Sequence, residues 1–179
     1  MRCVVLIGFM GAGKTTVGRA LAKRLRWKFL DLDDVIEQRE RTGVAEIFTS
    51  SGEAAFRRME SAALTALLHD RRAGNDLVLA LGGGAFVQKQ NRDALSSAGA
   101  ITVLLEAPLE ELRRRCHGER KVRPLAKEDS KFAELFAARR ADYALARFTV
   151  QTLDKAVKHV AAEIEQLLKA ADIETEKRK

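Results

Sequence analysis

A short glycine-rich segment near the N-terminus constrains this chain more than any other feature. An apolar run at residues 2–7 leads directly into residues 8–15, GFMGAGKT, which match the pattern G-x-x-x-x-G-K-[ST]. A helical pattern begins at Thr15. Glycines allow successive backbone N–H groups to turn towards phosphate oxygens, and the dipole of a helix N-terminus favours anions. The segment therefore predicts a phosphate-binding loop between a buried strand and a helix.

The residue types in this loop indicate which phosphates it holds. Lys14 can reach the β- and γ-phosphates of a nucleoside triphosphate, and the hydroxyl of Thr15 can ligate Mg²⁺. The alternative, a glycine-rich turn with a chance lysine, arises in about one chain of this size per hundred. We therefore predict a nucleoside triphosphate site. The motifs N-K-x-D and D-x-x-G are both absent from the sequence, which argues against a GTPase switch.

Short apolar runs alternate with helical patterns along the rest of the chain. Strands are predicted at residues 2–7, 28–32, 76–81 and 100–105, with a weaker candidate at 148–150. Helices are predicted at residues 15–25, 35–41, 53–68, 88–97, 109–116, 130–145 and 155–170. This alternation predicts an α/β fold, in which helices flank both faces of a five-stranded parallel sheet.

Length and charge set the domain count and the class of partner. The 179 residues, 46% of them hydrophobic, fit a single domain, which we place at residues 1–171 with a charged tail at 172–179. The net charge of +7 favours anionic partners. The densest basic stretch, residues 113–123, has no interleaved aromatic residue for base stacking. We therefore expect no nucleic-acid partner. Because the stretch is also poor in apolar residues, we predict a mobile lid at about 113–128.

The sequence also indicates the cellular compartment. No run reaches the roughly 18–20 apolar residues of a membrane-spanning helix, so we expect no membrane partner. The two cysteines form no C-x-x-C pair, which is typical of a reducing compartment. We expect a cytoplasmic monomer that acts on small molecules.

Two aspartates stand at the end of the second predicted strand. Alternation along a strand would put Asp31 and Asp33 on the same side, at the carboxyl edge where parallel sheets bind ligands. One carboxylate can support Mg²⁺ while the other accepts a proton from a substrate hydroxyl, which is what phosphoryl transfer to an alcohol requires. The structural alternative is a helix cap, in which Asp33 or Asp34 caps the helix predicted at residues 35–41.

The order of these and later motifs resembles that of the shikimate kinase family. The family pattern can be followed to about Thr152 in GFMGAGKTTVG (8–18), FLDLDDVIE (29–37), IFTSSGEAAFRRME (47–60), LALGGGAF (79–86), VRPL (122–125) and the surroundings of Arg139 and Tyr143. The phosphate-binding loop occurs in many enzymes, whereas the whole series in this order is specific to the family.

The resemblance implies ATP- and Mg²⁺-dependent phosphorylation of the 3-hydroxyl of shikimate to shikimate 3-phosphate, in chorismate and aromatic amino acid biosynthesis. It also implies the P-loop kinase fold of the nucleoside monophosphate kinases. The implied catalytic residues are Asp33, Lys14 and Arg123. The implied ATP-binding residues are Gly11, Ala12, Gly13, Lys14, Thr15, Thr16, Arg123 and Lys155. The implied substrate-binding residues are Asp33, Arg57, Gly83 and Arg139, and the implied Mg²⁺ residues are Thr15 and, through water, Asp31.

Three of these assignments have structural alternatives. Arg57 lies one helical turn before Glu60, so the two could form a plain surface ion pair instead of a carboxylate-binding site. The neighbouring Arg139 and Arg140 are equivalent by composition, and the spacing to Tyr143 favours Arg139, with Arg140 exposed. The glycine triplet at 82–84 could be only a flexible turn. The other explanation is that the backbone approaches a ligand closely there, which leaves no room for side chains.

The adenine contacts and two rival functions remain open. The lid arginine that the family places against adenine falls near Cys116 here, so Arg115 or Arg120 could substitute. The nearest rival is another small P-loop kinase, such as a gluconate or nucleoside kinase. The second rival is a noncatalytic nucleotide-dependent module, which would bind RNA or a partner through its basic surface.

Overall fold

A five-stranded parallel sheet forms the centre of the computed structural model, which describes residues 2–70, 76–118 and 129–176. Its strands are β1 (Cys3–Ile7), β2 (Lys28–Asp31), β3 (Leu77–Ala80), β4 (Ile101–Glu106) and β5 (Phe148–Gln151). Their order across the sheet is β2-β3-β1-β4-β5, and all four neighbouring pairs are parallel. The predicted α/β fold with five parallel strands is confirmed.

Helices cover both faces of the sheet. They are α1 (Lys14–Leu25), α2 (Leu32–Glu40), α3 (Val44–His69), α4 (Lys89–Ser97), α5 (Leu109–Gly118), α6 (Asp129–Tyr143) and α7 (Val157–Glu176). Every residue of β1 and β3 is buried, because central strands of a parallel sheet are covered on both sides. The loops after β1, β2 and β3 meet at the carboxyl edge, where ligands bind in such sheets.

The second strand and the helix after it differ from the prediction. β2 ends at Asp31, and α2 begins at once with Leu32, three residues earlier than predicted. The side chain of Asp31 accepts a hydrogen bond from the backbone N–H of Asp33, so Asp31 caps the helix. The structural alternative, in which Asp33 or Asp34 caps this helix, is wrong, because both residues lie inside its first turn. Strand alternation therefore does not explain the position of Asp33.

Three other helices also differ in extent. α3 begins at Val44 instead of residue 53 and continues through a kink at Gly52, where φ is 78° and ψ is 168°. α5 extends to Gly118, so residues 113–118 of the predicted lid are helical, whereas 119–128, including Arg123, lie outside the described residues. α7 extends to Glu176, into the predicted tail. No helix within the described ranges combines the length and hydropathy needed to cross a membrane.

Candidate active site

The loop between β1 and α1 forms an anion-binding cradle. Gly8, Gly11 and Gly13 all have positive φ angles, as the tight path of this loop requires. No side chain caps α1, and the first N–H groups of a helix have no intrahelical acceptor. The amino group of Lys14 lies over the loop and donates to the carbonyls of Gly8 and Phe9 at 2.9 and 3.0 Å. The cradle therefore presents backbone donors and one cation to the same space.

Two oxygen-bearing side chains adjoin the cradle. The hydroxyl of Thr15 donates to Asp31 Oδ2 at 2.7 Å, while Asp31 Oδ1 accepts from the backbone N–H of Asp33 at 3.2 Å. Hydroxyl and carboxylate oxygens are the ligands that Mg²⁺ prefers, and Mg²⁺ usually keeps several of its waters. The donor set at the start of α1 and the end of β2 therefore fits a magnesium ion held partly through water.

The glycine triplet after β3 lies against four charged side chains. A Cβ on Gly82 would lie 2.8 Å from Asp33 Oδ1 and 2.9 Å from Glu60 Oε1, while one on Gly83 would lie 3.1 Å from Arg139 Nη1. A Cβ on Gly84 would overlap the guanidinium of Arg57. A side chain at any of the three positions would crowd a charged group, so the triplet is more than a flexible turn.

Arg57 and Glu60 form an ion pair on α3 that faces the site. Arg57 Nη1 donates to Glu60 Oε2 at 2.9 Å, and the two side chains are 19% and 0% exposed. The other edge of the guanidinium donates to the exposed carboxylate of Glu53. Because Glu60 is fully buried, the alternative of a plain surface ion pair is wrong. The Arg57 guanidinium also lies 5.4 Å from the ring of Phe56, which forms an apolar wall.

The carboxylate of Glu60 is strongly perturbed by its burial. Its Oε2 also accepts from Gln88 Nε2 at 3.0 Å, whereas Oε1 has no hydrogen-bond partner among the described residues. Burial raises the pKa of Glu60 to about 7, since the positive charge of Arg57 only partly offsets the loss of hydration. Glu60 therefore titrates close to neutrality beside Asp33.

Arg139 reaches the same site from α6. It is 8% exposed and its guanidinium lies 5.8 Å from the ring of Phe9, whereas Arg140 is exposed, as expected. The hydroxyl of Tyr143, one turn further along α6, donates to the carbonyl of Gly83 at 2.5 Å. Burial raises the pKa of Tyr143 to about 12, so it remains a donor at neutral pH. Arg139 and Arg57 thus lie next to consecutive glycines.

The two candidates for the adenine side differ in their placement. Arg115 on α5 donates to the hydroxyl and the carbonyl of Thr152, both at 2.9 Å, and so adjoins the loop after β5. Arg120 lies outside the described residues. The amino group of Lys155, in the same loop, contacts Glu163 Oε2 at 2.6 Å.

Sequence reasoning missed two supporting residues of this site. Gln88, which holds Glu60, follows the glycine triplet in the chain, but its partner lies 28 residues earlier on another helix. The sequence uses Tyr143 only to distinguish Arg139 from Arg140, whereas in the structure its hydroxyl bonds to Gly83, 60 residues away. No local pattern indicates either contact, because each depends on how helices pack around the sheet edge.

Comparisons with known proteins agree on one family. The family model described as shikimate kinase matches residues 10–169. The shikimate kinase of Geobacter metallireducens is 40% identical over 92% of this chain and 90% of its own length. That of Vibrio cholerae is 39% identical over 93% and 95%.

Solved structures give the same result. A shikimate kinase from Acinetobacter baumannii in complex with shikimate superposes with a TM-score of 0.86 at 36% identity, covering 96% of this chain and 94% of the other. A gluconokinase from Sinorhizobium meliloti has a TM-score of 0.64 at 18% identity, with 97% of each chain covered, and so shares the fold alone. The enzyme that this sequence encodes therefore belongs to the shikimate kinase family.

Proposed function

We propose that this enzyme transfers the γ-phosphoryl group of ATP to the 3-hydroxyl of shikimate, forming shikimate 3-phosphate for chorismate and aromatic amino acid biosynthesis. The observation that carries the proposal is the glycine triplet at 82–84. Beside it, a carboxylate (Asp33) and two guanidinium groups (Arg139 and Arg57) converge within reach of a phosphate cradle. A small hydroxylated carboxylic acid is the class of substrate that this combination fits.

ATP occupies the loop at the start of α1 in this proposal. The backbone of Gly11, Ala12 and Gly13 and the first turn of α1, which includes Thr15 and Thr16, hold the phosphates, and Lys14 neutralises their charge. Thr15 and, through water, Asp31 hold Mg²⁺, which neutralises charge on the phosphate oxygens when it is bound. Lys155 contributes on the nucleoside side.

The two arginines bind the carboxylate of shikimate. A guanidinium is planar and permanently charged, so it can grip a carboxylate with two parallel hydrogen bonds. Glu60 fixes the orientation of Arg57, and the Tyr143–Gly83 hydrogen bond fixes the loop beside Arg139. The backbone of Gly83 then approaches the substrate ring closely.

Asp33 anchors the substrate hydroxyls and acts as the general base. It stands in the first turn of α2, two residues after the helix cap, and its Oδ1 is directed at the glycine triplet. It accepts the proton of the 3-hydroxyl as that oxygen attacks the γ-phosphorus, and ADP leaves. Arg123, in the predicted lid, stabilises the charge on the transferring phosphoryl group.

The finer points of the biology belong to the same proposal. The enzyme works in the cytoplasm as a monomer, and its positive charge serves ATP and an acidic substrate instead of nucleic acid or a membrane. A noncatalytic module would tolerate the loss of Asp33, whereas a kinase would not.

The substitution Asp33→Asn tests the catalytic assignment. The change is nearly isosteric and leaves the cradle untouched, so ATP affinity and the melting temperature should stay near their original values. Turnover should fall by roughly 10²–10⁴-fold, the usual contribution of a general base. Asp34→Asn, one residue further in the same helical turn, is the matched control and should retain most of the activity. Near-normal turnover of a folded, ATP-binding Asp33→Asn protein would overturn the role of Asp33.

A further inference from the structure

One arginine outside the site described above joins two of its elements. Arg92, in the first half of α4, places Nη1 at 2.8 Å from the carbonyl oxygen of Phe86 and 2.6 Å from that of Val87. The same nitrogen lies 2.9 Å from Asp142 Oδ1 on α6. The side chains of Arg92 and Asp142 are only 20% and 27% exposed, so water screens this pair less than a surface pair. Arg92 therefore joins the loop after β3 to α6.

The neighbours of Arg92 hold the same loop. Asn91 is buried and donates through Nδ2 to the carbonyl of Ala85 at 2.9 Å. On α6, the hydroxyl of Tyr143 likewise donates to the carbonyl of Gly83. The carbonyls of residues 83, 85, 86 and 87 are thus all bonded to side chains of α4 or α6. The loop is held as a unit between these two helices.

The position of α6 matters because it carries Arg139. A Cβ on Gly83 would lie 3.1 Å from Arg139 Nη1, so the loop and the guanidinium already stand at contact distance. Asp142 is one helical turn from Arg139, and its ion pair with Arg92 ties this part of the helix to the loop. A shift of α6 relative to the loop would change the spacing between Arg139 and Gly83 directly.

We propose that Arg92 is a positioning residue for the carboxylic-acid substrate: it locks α6 onto the loop at 82–87 and so sets the spacing between Arg139 and Gly83. The inference rests on the proposed function, because it assigns the effect of Arg92 to shikimate binding. In the proposed function ATP binds on the cradle between β1 and α1, whereas the bonds of Arg92 go to the loop after β3 and to α6.

Steady-state kinetics of Arg92→Ala, Arg92→Lys and Asp142→Asn test this inference. Arg92→Ala should raise the KM for shikimate about tenfold to a hundredfold, as expected for the loss of charged hydrogen bonds, with the KM for ATP within about twofold. Arg92→Lys should recover part of the loss, because the ammonium keeps the charge but not the fork. Asp142→Asn leaves the bonds to the loop carbonyls in place and should raise the KM for shikimate severalfold.

The control is Lys89→Ala on the same helix, which removes an exposed ion pair with Asp93 and should leave both KM values unchanged. If Arg92→Ala does not fold, Asp142→Asn decides the outcome. A folded variant with a lower melting temperature but an unchanged KM for shikimate, or with equal losses for shikimate and ATP, would overturn the inference. Absence of shikimate-dependent turnover in the unsubstituted enzyme would instead contradict the proposed function itself.

Discussion

Glu60 shows how one buried carboxylate serves the site at a cost to the fold. Burying a charge is unfavourable unless partners replace its hydration, and here Arg57 and Gln88 serve only one of the two oxygens. The compensation is that the Arg57 guanidinium is held at a fixed angle beside Gly84. Stability is therefore given up for a fixed orientation of the Arg57 guanidinium.

The raised pKa of Glu60 predicts a pH dependence of stability. Below about pH 4.5 the group is protonated in both states, whereas between 4.5 and about 7 the unfolded chain releases the proton that the folded chain retains. Stability is therefore lost as the pH rises through this window. Relative to Glu60→Gln, the free energy of unfolding should fall by about 2 kcal/mol from pH 5 to pH 8.

Urea unfolding at the two pH values measures this difference. Glu53→Gln, which removes the exposed carboxylate that also pairs with Arg57, is the control and should keep the pH dependence of the unsubstituted protein. A difference between the unsubstituted protein and Glu60→Gln that does not vary with pH would mean that Glu60 stays ionised throughout.

At the scale of elements, the kink in α3 brings side chains from its two segments together. Phe48 lies before Gly52 and Phe56 after it, yet their ring centroids are 4.6 Å apart, and the Arg57 guanidinium lies within 6 Å of both. The φ of 78° and ψ of 168° at Gly52 belong to a region that only glycine adopts readily. The angle between the two segments of α3 therefore depends on the backbone conformation of Gly52.

Gly52→Ala should destabilise the protein through the backbone alone. Apart from the flanking residues and the backbone of the helix itself, no atom of the described residues lies within 4 Å of the added Cβ, so the cost is conformational, about 1–3 kcal/mol. The KM for shikimate should rise as well, because Arg57 lies on the second segment of the helix and would move with it. Gly43→Ala is the control, because Gly43 has an ordinary φ of −73° and an added Cβ would meet Glu37 Oε1 at an ordinary contact distance of 3.8 Å. Urea unfolding that finds both variants equally stable would contradict the argument.

The elements themselves show how much of the fold could be predicted. The sequence predicts all five strands to within two residues of their ends, because the central strands β1, β3 and β4 are buried apolar runs and the alternation of strands and helices indicates the two edge strands. The starts of α2 and α3 were missed for a physical reason. Asp31 caps α2 from the last residue of a strand, and Gly52 is compatible with a helix that kinks as well as with one that begins there.

At the scale of the molecule, the site assembles from segments that are far apart in the chain. The cradle, Asp33 and the glycine triplet follow three strands that are neighbours in the sheet, so their meeting could be predicted from the parallel topology. Two other contacts could not be predicted, because they depend on how α4 and α6 pack: that of Tyr143 with Gly83 and that of Arg92 with Asp142. Sequence patterns thus predict the candidate chemical groups, whereas the residues that hold them in place are visible only in the tertiary structure.

The most direct test of the account is the identity of the phosphorylated product. The purified enzyme is incubated with ATP and Mg²⁺, alone, with shikimate or with gluconate, while ADP release is followed by a coupled assay and the product by ³¹P NMR. ADP should form only in the presence of shikimate and Mg²⁺, and the new phosphate should be on the 3-hydroxyl. ADP release that shikimate does not change, or a phosphate on gluconate or on another hydroxyl of shikimate, would contradict it.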